Sequence, residues 1–273
     1  MNSIDFVKIA WFGKHFGEEP PLVGKKGAGT IFFSGCNLRC VYCQNYQISQ
    51  QNIGKNYTIE ELSKIMLKLQ SNDALNIDLV TPTIWAAPIK KAIEKTKKEG
   101  LKIPIVWNSN AYESVELIKN LDGLVDIYLP DFKYGDNDIA FKYSEVKNYV
   151  EKAKESIKEM FIQVGNLKLS EEGIAEKGII VRHLILPNNI ENSKKALKYI
   201  SEIDKDIYVD LMSQYEPVHK AKDFPEINRN INQKELDEVF NYLLELGMEN
   251  GWVQDLESHS VFLPDFNKEN PFS

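Results

Sequence analysis

A chain of 273 residues with 43% hydrophobic content has enough apolar material for one large core or two small ones. Its 33 basic and 40 acidic residues leave a net charge of -7, which argues against broad binding to nucleic-acid phosphates. No uninterrupted apolar run is long enough to span a bilayer, and the start, MNSIDFVKIAWFGKHFGEEPP, lacks the charged-then-apolar order of a secretory signal, so the expectation is a cytoplasmic protein without membrane association.

In chain order, GAGTIFFSG (27–35) is a β-branched and aromatic run between glycines, which predicts a buried strand leading into a loop that carries every cysteine. Thr58 followed by Glu61 forms a capping-box pattern, and Ile59, Leu62, Ile65, Met66 and Leu69 recur at helical spacing, predicting a helix over 58–70. NIDLVT (76–81) reads as a strand, and PIKKAIEKTKKEG (88–100) as a helix opened by Pro88 and stopped by Gly100. Strand IPIVWN (103–108), helix ESVELIKNL (113–121), strand LVDIYL (124–129) and a helical stretch from Asn137 to Phe161 continue the alternation. Strand GIIVRHLIL (178–186), helix SKKALKYISEI (193–203), strand DIYVDLM (206–212) and a helix from Asn232 to before Gly247 complete it. GWVQDLES, with Trp252, Asp255 and Glu257, is either a closing strand or edge structure.

Six strand–helix alternations with largely continuous apolar strands imply an α/β fold in which parallel strands are covered by helices, as a barrel or an open doubly wound sheet. With no low-complexity linker and no internal repeat, one domain is the simpler reading. In either architecture the active site lies beyond the carboxyl ends of the strands. There the sequence places the cysteine loop, Thr81 and Thr83, Asn108 to Asn110, and Asp131 with Lys133.

Cys36, Cys40 and Cys43 are the only cysteines, clustered in SGCNLRCVYCQ, whereas a disulfide framework needs an even, dispersed set. Clustered thiols in a reducing compartment bind metal or do redox chemistry, because several thiolates can converge on one centre. A structural zinc would need a fourth ligand such as His15 or His183, and a simple electron carrier would offer four cysteines per cluster. The CxxxCxxC spacing supplies three corners of one cubane and leaves the fourth iron open. SGCNLRCVYCQN, with the aromatic Tyr42 before the last cysteine, resembles the cluster loop of the radical S-adenosylmethionine superfamily. The longer stretch HFGEEPPLVGKKGAGTIFFSGCNLRCVYCQNYQIS, with VTPTIW, NSNAYE, VDIYLPDFKY and SQYEP, resembles the pyruvate formate-lyase activating enzyme-like group over nearly the whole chain.

That resemblance implies a partial (β/α)6 barrel with a core at 27–215, an N-terminal extension at 1–26 and further elements at 216–273. It implies a [4Fe-4S] cluster on the three cysteines and S-adenosyl-L-methionine, reductively cleaved to a 5'-deoxyadenosyl radical that abstracts hydrogen from a substrate. A low-potential donor, flavodoxin or ferredoxin, is implied as partner. The substrate implied is a glycyl-radical enzyme, with a small molecule or another protein as alternative and a non-catalytic iron–sulfur electron carrier as a third reading. Cofactor contacts are expected from Tyr42, Thr81, Thr83, Asn108, Ser109, Asp131, Lys133, Arg182, Gln214 and Tyr215. Where activases carry Gly-Gly-Glu this chain has Thr81-Pro82-Thr83, so hydroxyls and carbonyls stand in for a charged acceptor. Strand alternation puts either Arg182 or His183 inside, and Arg182 is taken as the inner residue. Asp131 and Lys133 read alternatively as a surface ion pair, and Gln214, Tyr215 and His219 as ordinary loop residues. Glu18 and Glu19, before a Pro-Pro turn, read as a solvated acidic turn, with acid–base work or a substrate cation as the other possibility. GKKGAG (24–29) lacks the strand–glycine–helix order of a phosphate loop.

Overall fold

A computed structural model describes residues 5–254, 256 and 263–273, so Asp255 and Glu257 lie outside the described residues. Its ten strands are β1 (Phe6–His15), β2 (Ala28–Phe33), β3 (Lys55–Thr58), β4 (Ile77–Val80), β5 (Ile105–Ser109), β6 (Ile127–Pro130), β7 (Lys168–Leu169), β8 (Ala175–Leu184), β9 (Tyr208–Met212) and β10 (Gly251–Val253). The sheet order is β10-β9-β8-β6-β5-β4-β2-β1-β3, with β7 paired to β8. From β2 to β10 along this path every neighbouring pair is parallel, while β1 pairs antiparallel with both β2 and β3. Among the described residues the sheet does not close, which makes it the partial barrel expected, with all six anticipated strands present.

The helices form where the sequence caps them. Thr58 Oγ1 accepts from Glu61 N at 3.2 Å and Glu61 Oε2 accepts from Thr58 N at 2.8 Å, opening the helix Ile59–Ser71. Asn232 and Glu235 make the same reciprocal box before the helix Gln233–Glu245. The single helix expected over Asn137–Phe161 is two, Asn137–Ser144 and Tyr149–Val164. Glu145 and Asn148 take left-handed backbone, with φ of 58° and 55°, which no α-helix accommodates. No helix among the described residues is long and apolar enough to cross a membrane.

Strand alternation divides the side chains into two populations. Ile31, Leu79, Trp107, Tyr128, Val181 and Leu211 face outward into the main core beneath the helices. The inward positions are layered. At the bottom, Val106, Ile127, Leu129 and Ile180 form an apolar plug with Leu22, which the short helix Pro20–Val23 inserts from the N-terminal side. The region taken as an extension is therefore part of the barrel: β1 joins the sheet and the turn after it fills the interior. Trp252 packs on the plug against Tyr208, so β10 is an added parallel strand rather than loose edge. Above the plug the inward residues turn polar.

Candidate active site

The cysteine loop leaves the carboxyl end of β2. Gly35 opens it with φ of 85°, and a Cβ there would stand 2.6 Å from Ile84 Cδ1, so a side chain at this turn meets both backbone strain and a neighbour. Each thiol has a polar neighbour aimed at sulfur. Ser144 Oγ donates to Cys40 Sγ at 3.0 Å, Asn110 Nδ2 and Leu38 N lie 3.4 Å from Cys36 Sγ, and Ser49 Oγ lies 3.3 Å from Cys43 Sγ. Behind Ser144 runs a buried chain: Tyr42 OH donates to Tyr134 OH at 2.7 Å, and Tyr134 OH contacts Ser144 Oγ at 2.5 Å. Burial, then the charge of Cys40, pushes Cys36 up to about 11 and Cys43 up to about 12. Left alone the loop carries neutral thiols, and a cationic metal centre bound there would make thiolates of them.

Below the thiols lies a cavity of about 230 Å³. Its wall includes the three cysteines and Tyr42, the strand-end residues Thr81, Asn108, Ser109, Asp131, Lys133 and Arg182, and Gln214. Eight of the ten cofactor-contact candidates thus line one space with the cysteines. Thr83 and Tyr215 are not on that wall: Thr83 Oγ1 donates to Glu113 Oε1 at 2.9 Å, and Tyr215 OH donates to the Ile227 carbonyl at 2.8 Å. Thr81 has φ of 59°, rare for a β-branched residue and a strain of about 1–3 kcal/mol held at the rim. His219 stacks on Tyr46 at 4.7 Å, away from the cavity.

Arg182, taken as the inner residue of the pair that alternation sets apart, does line the cavity. His183 faces outward and fully buried, its Nδ1 2.7 Å from the Phe132 carbonyl, and burial lowers it to about 4. The guanidinium is heavily committed: Nε to Asp131 Oδ1 at 2.7 Å, Nη1 to Glu18 Oε2 at 3.0 Å, and Nη2 to Asn108 Oδ1 at 2.6 Å. Lys133 Nζ meets Asp131 Oδ2 at 2.6 Å. Burial would raise the Asp131 carboxyl, but Arg182 and Lys133 outweigh it and hold the group below the usual range. Asp131 and Lys133 therefore do form an ion pair, but a largely buried one on the cavity wall. Glu18 and Glu19 are not a solvated turn: their side chains are 8% and 4% exposed, because Pro20 and Pro21 direct the chain inward and carry both carboxylates onto Arg182.

Three residues with a part in this arrangement were not singled out from sequence. Glu113 accepts from Trp107 Nε1, Ser109 Oγ and Thr83 Oγ1, tying the rims of β4 and β5 together. Asp78 and Asp210 lie inside the apolar runs NIDLVT and DIYVDLM and point inward. Their signal was the one that marked Arg182: a charge on a strand whose two faces are both covered.

Comparison with known proteins decides the family. The profile described as the Radical SAM superfamily matches residues 30–165, which runs from β2 through the cysteine loop to the end of the second helix after β6. The chain belongs to the radical SAM superfamily. It is 36% identical over 235 residues to an uncharacterised protein of Methanocaldococcus jannaschii, covering 82% of this chain and 63% of that one. It is 26% identical over 200 residues to the pyruvate formate-lyase-activating enzyme of Clostridium pasteurianum, covering 71% of this chain and 76% of the enzyme. Streptococcus suis SuiB bound to S-adenosylmethionine shares the fold at a TM-score of 0.54 with 12% identity, over 83% of this chain and 50% of SuiB. Membership in the radical SAM superfamily implies a [4Fe-4S] cluster and S-adenosylmethionine. The residues present fit the cluster: three thiols on one loop, each with a polar neighbour near its sulfur, and the Lys133 cation close by.

Proposed function

We propose that this protein is an enzyme that reductively cleaves S-adenosylmethionine at a [4Fe-4S] cluster held by Cys36, Cys40 and Cys43, and uses the resulting radical to abstract hydrogen from a small molecule. The observation that carries this reading is the convergence of the three thiols and the charged strand-end residues on one cavity. When bound, the cluster supplies the electron that breaks the sulfonium bond. The chain's own residues bind and shield. Lys133, whose described hydrogen bond leaves donors unused, meets the methionine carboxylate, while Arg182 holds Asp131 and Glu18 in place. Thr81 stands in the segment where an activase carries Gly-Gly-Glu, and with Asn108, Ser109 and Gln214 it offers neutral hydrogen-bonding groups to the cavity.

A small substrate is favoured by the walls. They converge from the cysteine loop, the His15–Glu18 turn, the strand ends, and Pro264 and Phe272 of the segment 263–273. Phe272 packs on His15 at 4.1 Å and on Trp11 at 5.3 Å, holding that segment against β1. A glycyl loop would need an open groove instead. The activase reading is favoured by the likeness to the Clostridium pasteurianum enzyme, with a glycyl-radical enzyme as its partner. Either reading takes electrons from reduced flavodoxin or ferredoxin.

The test is anaerobic reconstitution, reduction with S-adenosylmethionine, and quantification of 5'-deoxyadenosine and methionine. Both products are expected, and each of Cys36→Ala, Cys40→Ala and Cys43→Ala is expected to abolish loading of iron and sulfide. A fully loaded cluster that forms neither product removes the radical assignment.

A further inference from the structure

The barrel interior on and beneath the cavity wall holds more acidic side chains than cations. Glu18, Glu19, Asp78, Asp131 and Asp210 interact around two cations, Arg182 and Lys133. Asp131 is accounted for by both cations, and Glu18 by one hydrogen bond from Arg182 and a longer one, 3.4 Å, from Asn108 Nδ2. The others are not. Asp78 is 0% exposed and neither of its oxygens has a hydrogen-bond partner; Glu19 Oε2 and Asp210 Oδ1 are likewise buried and unpartnered. A carboxylate kept in a core for stability finds donors, because sealing one away without them costs several kcal/mol.

Position separates these groups from the thiols. Asp78 and Asp210 share the inward face with Val80 and Met212, two residues further along β4 and β9, and it is Val80 and Met212 that line the cavity. The unpartnered carboxylates therefore lie roughly 7 Å beneath the rim that receives the cysteine loop. Glu18, which lines the cavity and also faces Arg182, joins the two levels.

We propose that this carboxylate layer receives a cationic group of the substrate, an ammonium or guanidinium carried by a small molecule whose other end reaches the radical. The proposal rests on the small-molecule reading of the site. Glu18 is the first contact, and an arriving cation offsets the burial that keeps the carboxyls of Asp78, Glu19 and Asp210 behind it from ionising. The substrate's positive charge then makes up the cations that the floor lacks, and neutral molecules of the same size are rejected because they leave the acids unpaired.

The experiment uses the full chain with its cluster reconstituted and S-adenosylmethionine bound, melted in increasing ethylammonium chloride, with sodium chloride at equal ionic strength and ethanol as references. A saturable rise in Tm is expected with ethylammonium alone, with the half-saturating concentration raised about tenfold or more in Glu18→Gln and in Asp78→Asn. Should either variant fail to fold, Asp210→Asn takes its place. No rise, a rise matched by sodium chloride, or a response unchanged in the variants overturns the proposal. Because binding is scored without turnover, a failure to cleave S-adenosylmethionine would count against the proposed function and leave this result standing.

Discussion

Replacing Arg182 with methionine removes the group on which the polar interior is organised while keeping much of the side chain's packing. The guanidinium contacts Asp131 at 2.7 Å, Glu18 at 3.0 Å and Glu19 at 3.5 Å, and these carboxylates are 17%, 8% and 4% exposed. Removing one partner of a buried pair costs about 3–5 kcal/mol, because the other charge stays behind uncompensated. An unfolding entropy of about 2.1 cal/mol/K per residue gives roughly 0.6 kcal/mol/K for 273 residues, so Tm falls by about 5–9 °C. The loss depends on pH with a definite sign. Burial raises the Glu18 and Glu19 carboxyls against the opposing charge of Arg182, and removing that charge raises them further. A carboxyl whose folded pKa exceeds its unfolded value contributes stability that is complete below the unfolded value and is lost as pH rises through the folded one. The deficit of Arg182→Met therefore shrinks from about pH 8 to about pH 5. Thermal melts of the metal-free chain followed by circular dichroism measure both effects. A loss under about 1 kcal/mol would show the pair behaving as a solvent-exposed one, and a deficit that grows on acidification would refute the charge argument.

Asp210 gives a second pH signature. Burial, then the charge of Glu19, raises it from 3.8 to about 8, so the metal-free chain loses stability as pH rises through that interval. Asp210→Asn is expected to flatten the decline, and parallel Tm-against-pH curves for the two proteins would contradict it. Ser144→Ala removes the hydroxyl 3.0 Å from Cys40 Sγ, and the reconstituted cluster is expected to become harder to reduce in a potentiometric titration followed by electron paramagnetic resonance. An unchanged midpoint would mean that this hydroxyl does not reach the ligating sulfur.

Much of the architecture was legible because it is written in local patterns. Continuous apolar runs marked all six strands of the expected parallel core, and the Thr58–Glu61 box marked a helix start to the residue. The break between Ser144 and Tyr149 was not legible: 137–161 keeps an acceptable helical pattern throughout, and the interruption rests on two left-handed residues that are not glycine. Strand β1 was missed because it pairs antiparallel at the sheet's end, outside the alternation that announced the rest.

The candidate site divides along the same line. Spacing alone brought three thiols within reach of one centre, since all lie on a loop of eight residues, from Cys36 to Cys43. Alternation put only one of Arg182 and His183 inside, and the fold puts Arg182 there. Which residues answer Arg182 depended on contacts between positions far apart in the chain. Glu18 stands 164 residues from its partner and Asp131 stands 51 away, and no periodicity records either distance. Local rules determine where a side chain points. Only the gathering of strands and turns around a shared interior determines what it meets there, and that turned a pair of glutamates expected in solvent into buried partners of Arg182.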